Sequence, residues 1–201
     1  MANIQIPNLG PAIALNGQEQ LEIVQAGVSC RTTTQAVADL ALPYISTLQT
    51  SLQNVPCASY YSTQTQNHGV AGNVAIVTCN QTDFEYGVSK VSNTRFTAPI
   101  NGIYNFQFSL QLVSNLNNKH AYVWLKKNGS NVASSNTEVD LANKDYGYVA
   151  AWNFMVNLNA GNYLELAWTS DDTVTLKASS PAPYGPDVPS AIVTMNLIRR
   201  T

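Results

Sequence analysis

The sequence predicts an all-β protein, a sandwich or jelly roll with a short helical preface, and three observations carry that reading. Apolar and polar residues alternate with period two through most of the chain beyond Cys57. Gly, Asn and Asp turn signals interrupt the alternation at short intervals. Helical periodicity is confined to a stretch before Cys57. Residues 57–201 are numerous enough to bury a core without disulfides.

The elements follow in order. Pro7-Asn8-Leu9-Gly10-Pro11 and Asn16-Gly17 break the chain, and Gln20-Leu21-Glu22-Ile23-Val24 then alternates like a strand. Ala26-Gly27 turns it and Val28-Ser29-Cys30-Arg31-Thr32 returns. An isolated hairpin is marginal in water and needs a neighbour over its apolar face. Leu21, Ile23, Val24, Val28 and Arg31 are therefore candidate anchoring residues. Thr33 or Thr34 caps a helix that Pro43 should kink or restart. Beyond it Ile45, Leu48, Leu52 and Val55 fall at steps of three, four and three, an a/d seam flanked by uncharged polar residues. Two heptads do not hold together alone. The seam suits parallel self-association of chains already gathered by something larger; the alternative is one helix packing on its own domain.

In the C-terminal region Tyr104, Phe106, Phe108, Leu110 and Leu112 share one face of a strand. The next strand, with Ala121, Val123 and Leu125 opposite Tyr122 and Trp124, is apolar on both faces and reads as central or interfacial. Asn128-Gly129 ends it in a hairpin turn. Tyr148 to Leu158 forms a long strand, Asn159-Ala160-Gly161-Asn162 turns, and Leu164, Leu166 and Trp168 continue. Asp171-Asp172 turns again before Val174, Leu176 and Ala178, and Ala191 to Ile198 is the last strand.

Composition excludes several functions. Charged residues are 11% of the chain against 45% hydrophobic, and the net charge is -2. Nucleic-acid binding needs clustered Lys and Arg, and only Lys126-Lys127 and Arg199-Arg200 pair. Nothing resembles a membrane span or a signal peptide. Cys30, Cys57 and Cys79 match no zinc or redox spacing and read as free thiols of a reducing cytoplasm. His68 and His120 lack ligand-spaced neighbours and read as surface or turn residues. No nucleophile elbow or Walker loop is present. No catalytic residue, metal or cofactor is expected; a calcium ion at Asp171-Asp172 is weighed against a plain charged turn, which is favoured. The remaining candidates are loops. Ser180 to Pro189 is stiffened by four prolines and carries Pro183, Tyr184 and Asp187, and Tyr146-Gly147-Tyr148 precedes the long strand. Rigid loops with exposed tyrosines are common glycan or protein contacts; equally, these loops merely close the sandwich.

Two resemblances add to this. Arg95-Phe96-Thr97-Ala98-Pro99-Ile100-Asn101-Gly102-Ile103-Tyr104-Asn105-Phe106, Leu125 to Gly129 and Leu158 to Leu166 occur in the order of the motifs of the complement/tumour-necrosis-factor jelly-roll superfamily, with Asn162 where Asp is usual. The resemblance implies a jelly-roll head that is a homotrimer around a three-fold axis. Leu15 to Leu40 resembles the leader of phage and prophage structural proteins, with Ala26 replacing the first Gly of a usual pair. Together they imply a virion protein of a tailed phage, made in the host cytoplasm and displayed on the virion surface. Residues 1–42 would anchor it to another virion protein, residues 43–56 would form a helical trimerisation linker, and residues 57–201 the head. The expected role is a trimeric tail fibre attaching to a host-surface glycan or protein; the alternative is capsid decoration or a head fibre of the same build.

Overall fold

The computed structural model describes residues 16–171 and 173–201, apart from the side chains of Gln25, Ser51, Leu52 and Gln53. The chain divides into two compact units, Met1–Gln53 and Asn54–Thr201.

In the first unit, β1 (Gln20–Gln25) and β2 (Val28–Thr33) pair antiparallel. Ala26 and Gly27 both have positive φ, 52° and 78°, the geometry of a two-residue turn whose twist matches the flanking strands. Helix α1 (Thr34–Gln53) follows directly. Thr33 is the cap: its hydroxyl accepts from the Ala36 amide at 3.1 Å. Glu19 ties the junction, accepting from the Asn16 and Gly17 amides and from the Thr34 hydroxyl at 2.7, 3.0 and 2.6 Å. Two sequence expectations need correction here. Pro43 starts no new helix but lies within α1, so residue 42, the expected end of the anchor, falls inside one element. Helix α1 also stops at Gln53, which leaves Val55 outside it and off any helical seam. The cause is Pro56, whose ring disfavours helical geometry at the residue before it.

The second unit is a sandwich of two seven-stranded sheets among the described residues, every pairing antiparallel. One sheet runs β6 (Gln81–Tyr86), β3 (Cys57–Ser62), β16 (Ala191–Arg200), β9 (Gly102–Ser114), β13 (Gly147–Leu158). The short β15 (Val174–Leu176) and β4 (Gln66–Asn67) extend it beside β9. The other runs β7 (Ser89–Val91), β8 (Arg95–Thr97), β14 (Tyr163–Ser170), β10 (Lys119–Lys127), β12 (Thr137–Leu141). Here β5 (Ala75–Ile76) and β11 (Ser130–Asn131) pair with β14 and β10. The chain crosses repeatedly between the sheets, and its first and last long strands, β3 and β16, lie side by side. That arrangement is a jelly roll.

The core sits between the sheets. Tyr104, Phe106, Leu110 and Leu112 of β9 are fully buried against Phe96, Leu125, Leu164, Leu166 and Trp168 from the facing sheet, each large side chain contributing about 1.5–3 kcal/mol on burial. Gly102 is required where β9 begins. A Cβ there would lie 2.4 Å from the Leu197 side chain and 2.5 Å from the Arg199 carbonyl, beside the bulge in β16 between those residues.

His68 is not the surface residue that its sequence context suggests. It is buried, packed edge-on to Trp168 at 5.0 Å between ring centroids, with Nε2 on the Ser170 hydroxyl at 2.5 Å and Nδ1 on the Val70 carbonyl at 3.1 Å. It serves the core rather than the surface.

Candidate functional site

The proline-rich loop leaves the sheet after β15 and returns at β16. Both ends hang on one residue: Lys177 donates its amide to the Gln111 carbonyl at 2.8 Å, and Gln111 donates to the Ser190 carbonyl at 3.0 Å. Ser179 and Val188 exchange both backbone hydrogen bonds, and the Ser180 hydroxyl donates to the Asp187 carboxylate at 2.5 Å. The neck is thereby fixed while the tip is open: Tyr184 is 93% exposed, and Pro183 is exposed beside it.

The neck forms one wall of a groove of about 630 Å³. Its floor is Ser59 and Tyr61 of β3 and Ile192 of β16, and Asp83 and Asp187 place carboxylates around it. Hydroxyls of Ser179, Ser180 and Thr63 complete a lining rich in donors and acceptors over a partly apolar base. That chemistry can hold a polyhydroxylated ligand by hydrogen bonds and one apolar face. Tyr184 and Pro183 are not among the lining residues.

The strand register locates the second expected loop. Leu112 of β9 pairs with Tyr148 on one flank and Leu176 on the other. The two loops therefore start from the same end of β9, on opposite flanks. Tyr146 is exposed, whereas Tyr148 packs against the core and accepts from the Asn143 amide at 3.0 Å.

In the first unit, Leu21, Ile23 and Val28 share one face of the hairpin, and Val24 and Arg31 lie on the other. Arg31 reaches the Gln20 side chain at 3.4 Å. Along α1 the described side chains from Gln35 to Thr50 are all exposed, Ile45 and Leu48 among them, as are Val37, Leu40 and Tyr44. The Leu52 side chain lies outside the described residues.

One cluster has no signal in sequence spacing. His120 of β10 stands opposite Asp140 of β12, and Tyr122 opposite Glu138. His120 Nδ1 lies 3.0 Å from Asp171 Oδ2, and its Nε2 lies 3.5 Å from Asp140 Oδ1. The hydrogen bond with Asp171 raises the His120 pKa; slight burial opposes it, and the charges of Asp171, Asp140 and Glu138 add to it. Elsewhere, burial pushes the Cys79 thiol up to about 12, the nearby Lys90 opposing. Cys30 and Cys57 are half-buried, and none of the three cysteines is in a disulfide. Among the described residues no helix is long and apolar enough to cross a membrane.

No family model matches the sequence, and no curated protein sequence matches it. Among solved structures the chain is similar to murine APRIL. The crystal structure at pH 5.0 gives 12% identity and a TM-score of 0.48, and that at pH 8.0 gives 10% and 0.47. Each alignment covers 71% of this chain and 99% of the other.

Proposed function

We propose that the chain is a structural virion protein of a tailed phage, a trimeric fibre whose first unit docks to another virion protein and whose jelly roll is displayed for attachment to a host surface. The observation that carries the trimer is strand β13. Among the described residues its twelve residues hydrogen-bond to β9 alone, which leaves a long open sheet edge. Val149 and Met155 on its outer face are each 61% exposed, and Trp152, Phe154 and Val156 on the other face are only half covered. An exposed apolar edge of that length invites pairing with another chain unless something covers it. Two further copies of the same surface cover it within a closed three-fold ring.

Docking through the first unit is supported by its exposed apolar residues, and it is what the resemblance of Leu15 to Leu40 to phage leaders implies. The hairpin is too small to bury its own face, and the described side chains of α1 from Gln35 to Thr50 are all exposed. A partner that covers Leu21, Ile23 and Val28 would stabilise both. Attachment belongs to the loops at the Ser114 end of β9, where Tyr184 and Tyr146 are open and the groove beside Asp187 offers hydroxyls and carboxylates.

Deletion of residues 1–42 tests the docking half. The shortened protein should remain trimeric and be missing from assembled particles, as read by mass spectrometry of purified virions. Incorporation at the full level would overturn the anchoring role. The copy number of the intact protein per particle separates tail from shell: a number matching tail symmetry supports the fibre, and one matching the capsid lattice assigns it to decoration.

A further inference from the structure

We propose that His120, Glu138 and Asp140 bind a divalent transition cation of the zinc class on the outer face of the second sheet, with Asp171 orienting the imidazole. Placement comes first. His120 and Asp140 are a directly opposed cross-strand pair, and Glu138 precedes Asp140 by two residues, so all three project from one face of adjacent strands. Each offers a ligand atom, and these atoms lie within 4.8 Å of one another. The 3.5 Å from His120 Nε2 to Asp140 Oδ1 is close to the edge of about 3.3 Å that a tetrahedron with metal–ligand bonds near 2.0–2.1 Å requires.

The second argument concerns the ring. Asp171 grips His120 twice, accepting from its backbone amide at 2.9 Å and meeting Nδ1 at 3.0 Å. A proton on Nδ1 then points at Asp171, and the Nε2 lone pair faces Asp140 and Glu138. A histidine whose far nitrogen is held by a carboxylate is the usual companion of a metal ligand, because it fixes the tautomer and the ring plane. Tyr122 donates its hydroxyl to Glu138 at 2.9 Å and steadies the third ligand in the same way.

Charge and hardness choose the ion. Three carboxylates surround one imidazole, so a dication balances them better than a proton does. An imidazole nitrogen with only two carboxylate oxygens suits zinc and its neighbours rather than calcium, which takes six to eight oxygens. The Asp140 side chain is 80% exposed, which leaves an entry path and room for water at the fourth position. Bound there, the ion would clamp β10, β12 and the turn at Asp171 together.

The test is zinc titration of metal-free full-length protein, with a chromophoric chelator as competitor. One zinc per chain is expected, together with a rise in thermal midpoint that His120→Ala and Asp140→Asn abolish. Asp171→Asn should weaken zinc by roughly 10–100-fold, the usual effect of losing an orienting partner, with zinc affinity and the metal-free thermal midpoint read separately. Cobalt substitution checks the donors: the spectrum should lack thiolate charge-transfer bands, which excludes Cys30 and Cys57. Absence of zinc binding, binding that survives both His120→Ala and Asp140→Asn, or full displacement by equimolar calcium would each overturn the assignment.

Discussion

Glu19 shows how one side chain organises its surroundings. Its carboxylate gathers the Thr34 hydroxyl and the Asn16 and Gly17 amides, and those hydrogen bonds, the one from Thr34 foremost, hold its pKa down from 4.5 to about 2. A depressed carboxylate contributes stability that is complete above its unfolded value and is lost as pH falls through its folded one. The junction of hairpin and helix should therefore loosen between about 4.5 and 2. An NMR titration of the Glu19 carboxyl carbon should give a midpoint near 2, and Glu19→Gln should speed amide exchange at Asn16 and Gly17 at neutral pH. A midpoint at the ordinary carboxylate value would contradict this. The histidines mark what residue types alone do not reveal. Nothing local to His68 announces burial, since its partners Trp168 and Ser170 arrive from a strand far along the chain. His120 likewise meets Asp140 and Asp171 through strand pairing, which spacing in sequence does not encode.

At the scale of elements, the sequence was most readable where the two faces of a strand differ. Burial largely alternates along β9, β10, β13 and β16, because one face packs in the core and the other does not, whereas β14 is buried on both faces. The hairpin turns at Ala26-Gly27 and Asn128-Gly129 were equally legible, because both residues of each turn have positive φ. β6 was not, because all six of its residues are exposed and its aromatic pair, Phe84 and Tyr86, faces outward rather than into the core. The end of α1 was overrun by the period of the seam: the a/d spacing reaches Val55, but the helix has stopped at Gln53 and the Pro56 ring disfavours helical geometry at Val55. Gly102 ties the start of β9 to the bulge of β16. Gly102→Ala should cost about 1–3 kcal/mol, as forced overpacking does, because the added methyl meets a backbone carbonyl that cannot move away. Denaturant unfolding checks it, and an unchanged midpoint would show that the bulge yields freely.

For the whole molecule, two features remain incomplete within one chain. Helix α1 has no covered face among its described side chains, and β13 has no second neighbour among the described strands. The apolar character of β13 could be read in the sequence. Its position at the sheet edge could not, since edge and centre differ in topology rather than in pattern. The proposed self-association would cover β13, and would leave the loops that start from the Ser114 end of β9 open for a ligand. Light scattering of the purified full-length chain tests that claim most directly. The account predicts three times the chain mass of 21.8 kDa, reduced to the single-chain value by Val149→Lys with Met155→Lys while the circular dichroism of the sheets is retained. A single-chain mass for the unaltered protein at high concentration would contradict it.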